Sequence, residues 1–289
     1  MGCVELATIV VTVQRKCRWV ILICMAVWDT VENQRTDMTR RTLESLAETV
    51  DWHKHRLIVS DNGSCDGTQL LYETTSKSFP FMPFTVIKNG ENLGTARAIN
   101  RGWSYRVPGE NCLKMDNDVV IYHKGWADEM EEAFARDTTI GICGLKRVDL
   151  AECPDNPEPH YRSTLRMLPH QPGQSWIVVE EVNHCLGTCQ SYSSALLDKM
   201  GYLYQGQDEG VVYAFDDCLS SFRAKLAGFK VVFLPSIKIS HIDPGGTDYT
   251  VWKQKVAGDR MGINGGENWL NRVMMEYRTG KRSLYWKDE

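Results

Sequence analysis

The chain has 289 residues, 43% hydrophobic and 24% charged, with a formal charge of -4 at pH 7. That is the make-up of a folded globular protein of one large or two small domains. No basic run is long enough for a nucleic-acid-binding tail, which argues against tight non-specific DNA binding but leaves room for a local basic groove. The ten cysteines form no CxxC pair and no disulfide framework. Cys185 and Cys189, four apart, are a weak metal signal, and Cys24 and Cys143 lie in apolar runs as small core residues. A reduced, cytoplasmic setting is expected.

Residues 1–18 have no assigned role and read as a poorly ordered leader. The run VILICMAVW (20–28) follows a basic flank, as in a signal peptide. It is too short to span a membrane and has no small-residue cleavage site. It reads as a buried first strand closed by Asp29, so no stable membrane insertion is expected. TRRTLESLAETV (39–50) then places Leu43, Leu46, Ala47 and Val50 on one helical face. RLIVS (56–60) is a short strand, followed by the turn Asp61-Asn62-Gly63-Ser64 and a helical GTQLLYETTSK. FTVIKN (84–89) is a strand, and ENLGTARAINRGWSYR (91–106) a helix entered through a glycine turn. CLKMDNDVVI contains a strand, 124–136 a helix and TIGICGL (139–145) a strand.

The proline-rich stretch 146–176 reads as an irregular connection, of a length often used for lids or binding loops. WIVVEEV (176–182) resumes strand character, SSALLDKMG (193–201) is helical with Gly201 as its stop, and FDDCLSSFRAKLAG (215–228) is helical with acids at its start. FKVVFLP (229–235) reads as a strand closed by Pro235, and 247–289 as a polar, aromatic, partly helical tail. Strand–helix alternation implies an α/β fold with a mainly parallel sheet flanked by helices. Ligands bind such sheets beyond the carboxyl ends of the strands, where the turns after RLIVS and LKM fall. The run LKMDNDVVI (113–121) raises a question there: Asp116 and Asp118 end an apolar strand. Either they sit in a solvated turn or something positive meets them.

Four segments, in order, resemble the family 2 glycosyltransferases, which have the GT-A fold. LIVSDNGSCDGT (57–68) is similar to the family's strand and D-D/N-G-S-x-D-G-T turn. NGENLGTARAINRG (89–102) is similar to N-x-G-x-x-x-A-x-N-x-G, and MDNDVV (115–120) to the D-x-D motif. GTCQSYSSALLDKMGYL (187–203) and FDDCLSSFRAKLAGFKVVFLP (215–235) resemble the acceptor-side strand and the E-D helix with its R-x-x-x-A-G ending. The resemblance covers roughly 20–245. It implies a Rossmann-like GT-A domain over 19–245, with a nucleotide-binding half (19–122), an acceptor half (123–245) and a C-terminal extension (246–289).

What the resemblance implies is a metal-dependent inverting transfer of a sugar, hexosyl or pentosyl, from a nucleoside-diphosphate sugar to a hydroxyl. Mn²⁺ or Mg²⁺ beside the diphosphate offsets its growing charge and takes one or two carboxylates. Asp118 and Asp116 match that pair, and in an extended segment they would face the same side. His241, just past the last strand, is the third metal candidate. Asp61 matches the residue that meets the base, where a carboxylate accepts from a uracil or thymine N–H, so a UDP-type donor is mildly favoured. Asn62 stands where a second Asp is usual for the ribose. Gly94 allows a tight turn, Arg97 offers a charged fork to phosphate, and Trp28 offers a face or backbone to the base. Gly187 and Thr188 match the strand near donor sugar and acceptor. Asp217 matches the general base that deprotonates the acceptor, with Asp216 in place of the family Glu. Each has an ordinary alternative: turn composition for DNGS, helix-dipole compensation for Asp216 and Asp217, capping and packing for Gly94.

Other readings stay open on the residues. A nucleotidyltransferase would carry a Gly-rich signature with a lysine near the first strand, and none stands between Val20 and Arg41. A non-catalytic nucleotide-sugar-binding protein would lack Asp118 or Asp217. The acceptor, whether glycan, lipid-linked sugar, protein or hydroxymethylated base in viral DNA, is not readable. Tyr277, Arg278, Lys281, Arg282 and Trp286 offer a small basic and aromatic contact for the last of these.

Overall fold

A computed structural model describes residues 20–148, 164–211, 215–243 and 266–287. The leader 1–18 lies outside these residues, as do 149–163 of the expected connection and much of the segment before the final helix. The first half runs β1 (Ile21–Val27), α1 (Thr36–Thr49), β2 (Arg56–Asp61), α2 (Asp66–Ser78), β3 (Phe84–Lys88), α3 (Thr95–Trp103), β4 (Asn111–Met115) and β5 (Val119–Ile121). The second runs α4 (Trp126–Arg136), β6 (Ile140–Arg147), β7 (Thr164–Met167), β8 (Val178–Val182) and β9 (Cys189–Tyr192). It closes with α5 (Ser194–Met200), α6 (Asp216–Leu226), β10 (Lys230–His241) and α7 (Gly266–Arg278).

The strands form one sheet in the order β3-β2-β1-β4-β9-β6-β10-β8-β7, with β5 pairing β10 off this path. β3, β2, β1 and β4 are mutually parallel, and β6 and β10 keep their direction. β9 is inserted antiparallel between β4 and β6. The sheet is therefore mixed but mainly parallel, as the alternation of elements implies.

Side-chain alternation along β1 builds a core on each face. Ile21, Ile23, Met25 and Val27 pack with Leu43 and Leu46 of α1 and with Trp126 and Met130 of α4. Leu22 and Cys24 pack on the other side with Ile99 and Trp103 of α3 and Leu196 of α5. Each fully buried side chain of this size contributes about 2 kcal/mol. A smaller core joins α6 and α7 through Tyr204, Leu219, Val273 and Tyr277. Gly201 ends α5 as expected, at φ 70, and a Cβ there would lie 2.0 Å from the Trp286 carbonyl oxygen, so the same glycine admits the tail.

Two expectations are corrected. Pro235 does not close the last strand: β10 runs on to His241, and its pairing with β6 shifts register between Leu234 and Lys238. A proline is tolerated at such a break because no ladder donor is needed there. The connection 146–176 is not irregular throughout, since Thr164–Met167 pairs antiparallel with β8. Mixed polarity over four residues hid this edge strand.

Candidate functional site

The acids of LKMDNDVVI lie in a turn, not in an extended segment. β4 ends at Met115 and β5 begins at Val119, so Asp116-Asn117-Asp118 reverses between them. Asn117 is buried, and its Nδ2 donates to Asp29 Oδ1 at 2.9 Å and Thr39 Oγ1 at 2.8 Å. Asp29 also accepts from Thr39 Oγ1 at 2.7 Å and Thr68 Oγ1 at 3.2 Å. Burial raises the Asp29 carboxyl to about 6 despite these bonds. Pinned at its middle residue, the turn delivers its two flanking carboxylates to different partners.

Asp118 meets cations. The antiparallel β5–β10 pairing sets His241 opposite Val119, which brings His241 Nε2 to 3.4 Å from Asp118 Oδ2. Arg35, just before α1, donates from Nη2 to the same oxygen and from Nη1 to Asp243 Oδ2 at 3.0 Å. Burial pushes the Asp118 carboxyl up, but His241 and Arg35 outweigh it and hold it down at about 2. Its second oxygen, Oδ1, is buried without a hydrogen-bond partner among the described residues. An ionised carboxylate with a buried lone-pair oxygen to spare fits a hard divalent cation. His241 is in reach of Asp118, whereas the Asp116 carboxylate, two residues away, turns to Lys114.

Asp116 meets a lysine. Lys114, two residues earlier on β4, is buried, with Nζ 2.9 Å from Asp216 Oδ2 and 3.5 Å from Asp116 Oδ1. Nζ also donates to the Gly187 carbonyl at 2.9 Å. Burial opposes the ammonium charge, yet Asp116, Asp216 and Asp217 hold its pKa well above the usual lysine value. Asp116 itself is raised to about 6 by burial, with Asp118 and Asp216 adding to the effect and Lys114 opposing it. What is positive near the acids therefore includes a residue of the same short run.

Asp217 sits at the start of α6, after Phe215, whose φ of 62 is a strained value for a bulky side chain. Phe215 stacks on Trp269 of α7, ring centroids 6.2 Å apart. Asp217 Oδ1 accepts from the Cys218 amide at 2.7 Å and Oδ2 from the Gly187 amide at 3.2 Å, with His184 Nε2 at 3.4 Å from Oδ2. Burial works against ionisation, but His184, then Lys114, hold this carboxyl at about 2. A Cβ on Gly187 would lie 2.6 Å from Lys114 Nζ and 3.2 Å from Asp217 Cβ. The glycine thus lets Lys114 and Asp217 approach one another.

The ends of β2 and β3 hold a different network. Asp61 Oδ1 accepts from the Gly63 and Ser64 amides at 2.9 and 2.7 Å. Its Oδ2 accepts from Tyr72 Oη at 2.7 Å and Gln69 Nε2 at 3.1 Å. Four donors fill a carboxylate's ordinary acceptor capacity. Asn62 donates from Nδ2 to Asn92 Oδ1 at 3.2 Å and the Gly94 carbonyl at 3.4 Å, and accepts from Asn89 at 2.8 Å. Gly94, at φ 81, precedes α3. Arg97 turns its Nη2 to the Gln207 carbonyl at 3.2 Å, and the Trp28 carbonyl accepts from Asn33 Nδ2 at 2.7 Å.

The structure thus gathers Asp116, Asp118, His241, Asp216, Asp217 and Gly187 into one charged network, and Asp61, Asn62 and Gly94 into a separate hydrogen-bonded one. Sequence reasoning missed Lys114, Arg35, Asp29, His184 and Cys218. Lys114 carried a signal, a lysine inside a buried strand two residues from an acid. Arg35, His184 and Cys218 lie in unremarkable loop or helix-start composition. Of the C-terminal aromatic and basic residues, Tyr277, Arg282 and Trp286 are engaged internally, whereas Arg278 and Lys281 are exposed. Arg282 pairs with Glu209 at 2.8 Å and Glu276 at 3.0 Å, the Trp286 ring lies 4.8 Å from that of Tyr204, and Tyr277 is buried. Among the described residues no helix is long and apolar enough to cross a membrane.

A family model described as Glycosyl transferase family 2 matches residues 31–201. No curated protein matches the chain in sequence. Among solved structures, the mannosyltransferase PcManGT from Pyrobaculum calidifontis, in complex with GDP-Man and Mn²⁺, superposes with a TM-score of 0.60 at 15% identity, over 82% of this chain and 61% of that one. GalNAc-T7 with UDP, GalNAc and Mn²⁺ gives 0.57 at 12% identity, over 80% and 46%. S. aureus TarS with UDP-GlcNAc gives 0.54 at 16% identity, over 80% and 60%. At these identities the likeness concerns the fold, which is GT-A, and the chain spans under two thirds of the length of each.

Proposed function

Because the chain belongs to glycosyl transferase family 2, we propose that it is a metal-dependent inverting glycosyltransferase, moving a sugar from a nucleoside-diphosphate sugar to a hydroxyl acceptor. The observation that carries this reading is the placing of two ionised carboxylates, Asp118 and Asp217, on either side of a buried lysine that itself meets Asp116 and Asp216. Asp118 has a buried oxygen to spare on the strand-end side, and Asp217 lies partly exposed on the helix side. Asp118, Asp116 and His241 would hold Mn²⁺ or Mg²⁺, which when bound supplies charge stabilisation to the departing diphosphate. The Mn²⁺ in two of the fold neighbours supports a divalent ion.

Asp217 takes the proton of the acceptor hydroxyl as that oxygen attacks the anomeric carbon. Its pKa of about 2 keeps it ionised, so it acts by position and charge more than by basicity. Asp216, beside it at the helix start, assists by holding Lys114, whose charge acts on Asp116 and Asp217. Asp61 and Asn62 face the base and ribose. For Asp61 to accept from a uracil N–H, Gln69 yields its bond, the longest of the four. Gly94 and Arg97 flank the diphosphate, and Trp28 the base. We keep a UDP-type donor as first choice. The division at 122/123 follows from this arrangement, with the nucleotide on the β1–β4 side and the acceptor on the α6 side. The free state of the described cysteines supports a reduced, cytoplasmic setting. With Tyr277, Arg282 and Trp286 taken up internally and only Arg278 and Lys281 of that set exposed, a glycan, lipid-linked sugar or protein hydroxyl is favoured over a DNA base.

The test separates chemistry from binding. Asp217→Asn is expected to lower sugar transfer about 10²- to 10⁴-fold while leaving metal-dependent nucleotide affinity within a factor of about three. Full transfer by this variant, once an acceptor is in hand, contradicts the assignment.

A further inference from the structure

We propose that His184, Asp217 and Cys218 form a second metal site, selective for a thiophilic divalent cation such as Zn²⁺. Among the described residues these are the three metal-ligating side chains whose ligand atoms all lie within 4.8 Å of one another. His184 Nε2 lies 3.4 Å from Asp217 Oδ2 and 3.6 Å from Cys218 Sγ. Asp217 Oδ2 and Cys218 Sγ thus converge on one ring nitrogen, as ligands around a single ion do.

The spacing matches a coordination shell. Tetrahedral zinc, with bonds of about 2.0 Å to N and O and about 2.3 Å to S, sets its N and O ligands about 3.3 Å apart and its N and S ligands about 3.6 Å apart. The His184–Asp217 and His184–Cys218 separations agree with these values before any ion is present. His184 and Asp217 each expose about a quarter of their side chains, so an ion can enter from the cleft. Three protein ligands leave the fourth tetrahedral position open to solvent or to a hydroxyl.

The donor set separates the two sites by cation. Asp116, Asp118 and His241 offer mainly oxygen, which suits Mg²⁺ and Mn²⁺, whereas imidazole with thiolate selects zinc. Burial and the Asp217 charge push the Cys218 thiol up. A bound divalent cation reverses both effects and deprotonates a coordinating thiol, the proton passing to bulk buffer. A consequence rests on the proposed function: the ion occupies the oxygen of Asp217 that accepts the acceptor's proton, so Zn²⁺ inhibits transfer by competing with the acceptor.

Co²⁺ titrated into the full-length chain, without donor or acceptor, tests the site itself. The expected result is a thiolate-to-cobalt charge-transfer band with tetrahedral d–d absorption, saturating at one ion per chain and displaced by Zn²⁺. Cys218→Ser, nearly isosteric, is expected to lose the charge-transfer band, His184→Gln to lose the tetrahedral bands, and Asp118→Asn to keep both. Absence of the charge-transfer band in the native chain, or its persistence in a folded Cys218→Ser variant, overturns the proposal. With the site established, Zn²⁺ is expected to inhibit Mn²⁺-supported transfer at least tenfold more strongly in the native chain than in Cys218→Ser. Cobalt binding without that inhibition keeps the site and contradicts Asp217 as base.

Discussion

The turn after β4 and the start of α6 each carry a pair of aspartates, and the two pairs are built alike. In each, one carboxylate faces inward to Lys114: Asp116 at 3.5 Å, Asp216 at 2.9 Å. The other meets a histidine at 3.4 Å, His241 for Asp118 and His184 for Asp217. Both outer carboxyls are held at about 2. They differ in what else they touch. Asp118 is nearly enclosed, bonded by Arg35, with one oxygen unused, whereas Asp217 is bound by two backbone amides and opens toward Cys218. One environment favours a hard cation, the other a proton or a soft cation. A single buried ammonium between them offsets part of the repulsion of two acidic pairs within one cleft.

The strongest way to break this comparison is to remove the lysine. Lys114→Met keeps the volume but leaves Asp216 buried without its cation, a change that costs about 3–5 kcal/mol when a buried pair loses one member. Chemical denaturation is expected to show that loss, and metal-dependent nucleotide binding is expected to weaken with it. A variant as stable as the native chain would mean that the two pairs are independent. Gly187→Ala is a milder probe. Its methyl would meet Lys114 Nζ at 2.6 Å, and the end of a flexible chain can shift, so about 1–2 kcal/mol is expected. Transfer should fall more than nucleotide binding, because the displaced group lies on the Asp217 side.

A third probe is pH dependence and concerns Asp29, which anchors the turn through Asn117. Its folded pKa of about 6 lies above its ordinary 3.8, so the folded state binds this proton more readily than the unfolded one. Between pH 4 and 6 its contribution therefore makes stability fall as pH rises, by up to about 3 kcal/mol in total. Asp118 and Asp217, lowered to about 2, act in the opposite sense between pH 2 and 4. Asp29→Asn is expected to reduce the slope of the stability profile between pH 4 and 6, where Asp116, also raised to about 6, supplies the remainder. An unchanged profile there would assign that titration elsewhere.

The sheet and its helices were legible because their signals are local and periodic: alternation in β1, the 3-4 spacing of α1, and Gly201 stopping α5. The edge strand β7 was not, since four residues of mixed polarity resemble a loop, and Pro235 misled because a strand with a register break tolerates proline. The acids of the site were legible through their order along the chain. Their cations were not, because Arg35 meets Asp118 across 83 positions and His184 meets Asp217 across 33. Lys114 was the exception: a charge inside a buried strand needs a partner, and Asp116 stood two residues away. Asp61 shows the reverse limit. Its motif was plain, but only the fold reveals Tyr72 and Gln69 filling its second oxygen.

The most direct measurement is calorimetric titration of UDP, dTDP and GDP with and without Mn²⁺, on the native chain and on Asp118→Asn. The account predicts that one nucleotide binds only with the metal, and that the variant loses at least tenfold in that affinity while keeping its fold by circular dichroism. Binding indifferent to Mn²⁺, or undiminished in a folded Asp118→Asn variant, would contradict the metal site at the turn after β4.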